Sequence, residues 1–93
     1  MLRITITEES ESAIMRLEGK LVGPWVEELR QCWHKILRQV KGRAVIADLG
    51  EVTFVDAPGK KLLQEMRTAR VKLVGRGVLT NYILEQIERS RAS

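Results

Sequence analysis

Apolar and polar positions alternate from the first residues of the chain: Leu2, Ile4 and Ile6 oppose Arg3, Thr5 and Thr7, the period of two that marks a half-buried strand. After an acidic turn of Glu8, Glu9 and Glu11, the segment from Ala13 to Glu18 places Ala13, Met15 and Leu17 on one face. Two neighbouring strands, paired as a hairpin, are expected to open the domain. The period then changes. Gly23-Pro24 predicts a helix start, since proline is preorganised for the first turn, and Gly42 is placed to end the helix after Lys41. On a helical wheel Trp25, Val26, Leu29, Cys32, Trp33, Ile36, Leu37 and Val40 span an arc of about 140°. An apolar face that wide is suited to lying on a sheet.

The next run, Ala44-Val45-Ile46-Ala47-Asp48-Leu49, is nearly continuous and of strand length, as for a strand covered on both faces or set mid-sheet. It is read as ending at Asp48 and Gly50. Val52 to Val55 lead into a second helix, from about Pro58 to Ala69, with Leu62, Leu63, Met66 and Ala69 inward and Lys60, Lys61, Gln64 and Arg67 outside. Val71, Leu73 and Val74 form a short strand, Gly75 to Gly77 turns, and Thr80 to Arg89 forms a last helix with Tyr82, Ile83 and Ile87 inward. The tail from Ser90 is expected to fray. The order strand, strand, helix, strand, helix, strand, helix predicts an α/β fold: one mixed, mostly parallel sheet of about four strands with amphipathic helices packed against it.

With 93 residues, 44% hydrophobic and 30% charged, the chain is read as one globular domain spanning 1–93, too small for a large enclosed active site. The lone Cys32 permits no internal disulfide and no cysteine cluster for a metal. The first residues lack the apolar core of a signal peptide, and no stretch reaches the ~20 apolar residues of a membrane span. A cytoplasmic protein is expected.

Sixteen basic residues oppose twelve acidic ones, for a net charge of +4. From Lys60 to Arg76 the bases are Lys60, Lys61, Arg67, Arg70, Lys72 and Arg76, against Glu65 alone. No aromatic residues are interleaved with them as stacking platforms, so nucleic acid is not the expected partner.

The stretch "VIADLGEVTFVDAPGKKLLQEM" resembles the central signature of STAS domains, the family that includes bacterial anti-sigma factor antagonists. In that signature an apolar strand runs into Asp-Leu, a spacer, an apolar stretch, Asp-Ser-Ser-Gly and an amphipathic helix. Asp48 and Leu49 match the strand end, Val52, Phe54 and Val55 the apolar stretch, and Asp56 and Gly59 the outer residues of the motif. The element order resembles that fold from about Leu2 to Glu88, so the resemblance implies a single-domain STAS-like fold. It also implies that the first serine of the motif is phosphorylated by a partner kinase that is itself the anti-sigma factor. Here that position is Ala57, Pro58 replaces the second serine, and Lys60 stands where an apolar residue is usual. Neither Ala57 nor Pro58 offers a hydroxyl, so the switch cannot operate at this loop.

A helix start exposes N–H groups and carries partial positive charge, to which Lys60 and Lys61 add formal charge. Asp56 is expected to cap the helix by accepting the Gly59 N–H, or else Ala57, biased from helical angles by the following proline, stands at the cap position. The predicted partner-binding residues are Asp56, Ala57, Pro58, Gly59, Lys60, Lys61 and Gln64, docking on an acidic patch. No catalytic residue, metal or cofactor is expected. His34 falls on the exposed side of the first helix without a triad-like neighbour, and Cys32, Trp25 and Trp33 read as core. Asp48 and Asp56, placed at two strand ends, could approach each other as paired carboxylates or metal ligands, but similar aspartates are structural in the signature. The resemblance implies a non-catalytic interaction module in a regulatory partner-switching complex, with an anti-sigma factor or kinase as partner. Its alternative is a STAS-like subunit of an ABC-type phospholipid transport assembly that binds the ATPase.

Overall fold

A computed structural model describes residues 1–75 together with Glu85 and Ile87. Its elements follow the order β1 (Leu2–Glu8), β2 (Ser12–Leu21), α1 (Pro24–Gln39), β3 (Ala44–Val55), α2 (Ala57–Thr68) and β4 (Lys72–Val74). The four strands form one sheet in the order β1-β2-β3-β4. β1 and β2 are the antiparallel pair expected from the opening alternation, with Ile4 opposite Leu17 and Ile6 opposite Met15. The pairs β2·β3 and β3·β4 are parallel, so α1 and α2 are both crossovers. Right-handed crossovers that advance one strand at a time place their helices on the same face of the sheet. The core agrees: Ala13, Met15, Leu17 and Leu21 of β2 and Val45, Ala47 and Leu49 of β3 share one buried cluster with residues of both helices.

α1 buries Val26, Leu29, Trp33 and Ile36. The buried stripe is narrower than the predicted arc: Trp25 and Cys32 are half-buried against the core, and Leu37 is 40% exposed. The helix also stops earlier than Gly42. Val40 is its C-cap and is buried, donating its N–H to the Ile36 carbonyl, and Gly42, with φ 80°, turns the chain toward β3. α2 buries Gly59, Leu62, Leu63 and Met66. Ala69, expected inward, is instead the exposed C-cap.

β3 departs most from expectation. It does not end at Asp48 and Gly50 but runs unbroken to Val55, because the long β2 continues beside it. Two extra residues are absorbed as bulges. Between the pairs Arg16↔Asp48 and Glu18↔Glu51, β3 advances three residues while β2 advances two; between Gly19↔Val52 and Lys20↔Phe54, it advances two against one. Asp48 Oδ1 accepts the Gly50 N–H at 2.9 Å beside the first bulge, and Thr53 Oγ1 donates to the Gly19 carbonyl at 3.2 Å beside the second. Each bulge shifts the side-chain alternation by one position. Val52 and Val55 therefore stay inward while Phe54 turns out, 53% exposed.

β4 comprises Lys72–Val74; Val71 precedes it and is buried. Of the predicted last helix, Glu85 and Ile87 are helical and Ile87 is buried in the core. Tyr82, Ile83, the rest of that helix, the turn beyond Gly75 and the tail from Ser90 lie outside the described residues. Among the described residues no helix is long and apolar enough to cross a membrane.

Candidate functional site

The start of α2 is organised by Asp56. It is the N-cap, extended at φ −81° and ψ 178°, and its Oδ1 accepts the Gly59 N–H at 2.8 Å. Of the two capping arrangements the sequence allows, this is the one adopted. The second oxygen reaches further: Oδ2 accepts the Gly23 N–H at 2.9 Å, at the N-cap of α1. The backbone of Asp56 is held as well, its N–H donating to the Leu21 carbonyl at the end of β2 and its carbonyl accepting the Lys60 N–H. One residue thus joins the ends of β2 and β3 to the starts of both helices. Gly23 sits at φ 53° and ψ −129°, a conformation that favours glycine.

Gly59 is buried because α2 begins almost in contact with the sheet. A Cβ there would lie 2.8 Å from the Leu21 carbonyl oxygen, 2.8 Å from Val55 Cγ1 and 3.0 Å from Asp56 Oδ1. Around this anchored base the outer residues stand clear: Ala57, Pro58 and Lys61 are exposed, while Lys60 and Gln64 are half-buried. Ala57, Lys60, Lys61 and Gln64 are spaced i, i+3, i+4, i+7, which places them along one side of the helix. The first turn contains no acidic residue. The two lysines and the helix's partial charge of about +0.5 outweigh the single Asp56 carboxylate, so this edge is positive.

The predicted residues are therefore brought together in two layers, with Asp56 and Gly59 as the base and Ala57, Pro58, Lys60, Lys61 and Gln64 as the surface. No hydroxyl occurs in the first turn of α2; the nearest in sequence, on Thr53, is bonded to Gly19. Asp48 is not at a strand end. It lies within β3 with Oδ1 turned to its own bulge. Among the described residues no three His, Cys, Asp or Glu side chains are grouped as metal ligands. His34 is exposed, its ring 4.9 Å from that of Trp33. Burial pushes the Cys32 thiol above its ordinary range, although Lys35 opposes the shift.

Sequence reasoning missed three features. The Asp56–Gly23 link joins positions 33 apart and left no local signal. Arg30 of α1 hydrogen-bonds and ion-pairs with Glu65 of α2, which raises its pKa further and braces the helices against each other. Phe54, two residues before Asp56, is an exposed aromatic whose only sequence signal is the break in alternation on β3.

No family model and no curated protein matches the chain. Solved structures do match it. An anti-sigma factor antagonist from Mycobacterium paratuberculosis aligns with a TM-score of 0.82 at 15% identity, over 99% of this chain and 82% of its own. The anti-sigma factor antagonist SpoIIAA in its unphosphorylated form aligns with a TM-score of 0.61 at 17% identity, over 98% of this chain and 100% of its own. A protein of the DUF3478 family with a SpoIIAA-like fold, from Shewanella loihica PV-4, aligns with a TM-score of 0.59 at 15% identity, over 87% and 71% of the respective chains. At these identities the likeness is one of fold. The chain has the SpoIIAA-like STAS fold in which these anti-sigma factor antagonists are built.

Proposed function

We propose that this chain is a non-catalytic protein-binding module of the anti-sigma factor antagonist kind, acting in a cytoplasmic partner-switching complex without phosphorylation at the start of α2. The observation that carries the proposal is the exposed, hydroxyl-free first turn of α2, held on a base of Asp56 and Gly59 whose hydrogen bonds and packing are internal. Ala57, Pro58, Lys60, Lys61 and Gln64 supply the contact surface, and its positive edge suits an acidic patch on a protein such as an anti-sigma factor. Asp56 and Gly59 belong to the binding set as the supports that fix its geometry.

The test is affinity capture from the native cell with the wild-type chain and with a Lys60→Glu/Lys61→Glu variant, read by mass spectrometry. The wild type retains a specific protein that the variant loses, because charge reversal turns attraction into repulsion at the rim. A partner held equally by both removes the lysines from the interface. Capture of a transport ATPase in place of an anti-sigma factor would keep the surface and move the module to a lipid-transport assembly.

A further inference from the structure

The basic stretch that begins at Lys60 divides in the fold. Lys60 and Lys61 stand at the start of α2, whereas Arg67, Arg70 and Lys72 line a cleft with Val71 and Leu73, between the last turn of α2 and β4. Along α2 the two groups are separated by the six residues from Lys61 to Arg67, about 9 Å of rise. The cleft has a volume of about 370 Å³, at the small end of the range for ligand pockets. Its described lining residues include three cations and no carboxylate.

These cations are not needed to finish the helix. The Ala69, Arg70 and Val71 N–H groups already donate to the carbonyls of Glu65, Arg67 and Met66. Neither Arg70 nor Lys72 takes part in the ion pairs among the described residues, whose cations are Arg16, Arg30 and Arg43. The helix end contributes only about −0.5 of charge, so positive charge prevails among the described lining residues through Arg70 and Lys72. Arg70 also sits at φ 70°, in the left-handed region where glycine ordinarily ends a helix and any other residue is disfavoured. An arginine there adds its side chain to the lining of the cleft at some expense in backbone strain.

We propose that this cleft is an anion site for a small phosphorylated metabolite. Arg70 and Lys72 are its principal ligands, and Arg67 adds to the field. A guanidinium fork matches two phosphoryl oxygens, and an ammonium beside it suits a ligand carrying two or more negative charges. Val71 and Leu73 leave room in the lining for a short apolar body. The site is separate from the docking surface on α2 and does not depend on it.

The test uses the full chain and inorganic pyrophosphate at constant ionic strength, followed by thermal melting and by backbone amide shifts. Pyrophosphate is expected to raise Tm saturably, with shifts centred on residues 70–73. Arg70→Gly keeps a residue suited to the left-handed turn and removes the cation, so the fold is retained while affinity falls by about tenfold or more. Lys72→Gln does the same from the other wall. The proposal is overturned if pyrophosphate acts no differently from matched chloride, if Arg70→Gly binds as the wild type does, or if the shifts centre on Lys60 and Lys61.

Discussion

Replacing Gly59 with alanine sets two effects of opposite sign against each other. In an exposed helix the change would stabilise the protein by up to about 1 kcal/mol, because glycine is the poorer helix former. Here the added methyl meets the Leu21 carbonyl oxygen and Val55 Cγ1 at 2.8 Å and Asp56 Oδ1 at 3.0 Å. Leu21 cannot yield easily, since its carbonyl accepts the Asp56 N–H, and displacing Asp56 weakens the cap on α2. Overpacking of this kind costs about 1–3 kcal/mol, and a 2.8 Å approach to a backbone oxygen puts it at about 2–3, so geometry outweighs propensity and the net loss is about 1–2 kcal/mol. Urea denaturation followed by circular dichroism would read this as a midpoint lower by roughly 0.5–1 M for a slope of about 2 kcal/mol/M. A Gly59→Ala variant as stable as the wild type, or more so, would refute the close approach of α2 to the strand ends.

Other expectations follow from the same region and from α1. Asp56→Ala leaves the Gly59 N–H without its acceptor in a half-buried place while the exposed Gly23 N–H turns to water; the expected loss is about 2 kcal/mol, and Asp56→Asn, which keeps one acceptor oxygen, loses roughly half of that. Matching urea curves for wild type and Asp56→Ala would show that the carboxylate bridges nothing. Cys32 is held protonated by burial, so iodoacetamide should modify it more slowly in the native chain at neutral pH than in urea. Because the folded-state pKa is raised, the linked stability is intact below the ordinary thiol range and is lost as pH rises through the raised value. Equal alkylation rates in the two states would contradict that environment.

Elements set by local signals were legible in the sequence. Gly23-Pro24 located the start of α1, the alternation of Leu2, Ile4 and Ile6 located β1, and Asp56 was recognised as a candidate cap three residues before Gly59. What escaped was set between strands. The spacing of Val45, Ala47, Leu49, Val52 and Val55 breaks the period of two twice, and within a single segment such a break resembles a strand end. Only the register against β2 shows it as two bulges in a continuous strand. The same limit hid the exposure of Phe54 and the interior position of Asp48. At the candidate site, the spacing of Ala57, Lys60, Lys61 and Gln64 along α2 was readable, whereas the second use of Asp56 was not. Its partner on α1 is a main-chain group, and main-chain groups leave no mark on residue type.

The way Asp56 ties two helix starts to two strand ends has a consequence in time. Its contacts with Gly23 and Leu21 can form only after a loop of more than thirty residues has closed and β2 and β3 have aligned. If these contacts form after the transition state, Asp56→Ala speeds unfolding and leaves the folding rate unchanged; the residue is then a clasp that prolongs the life of the native state.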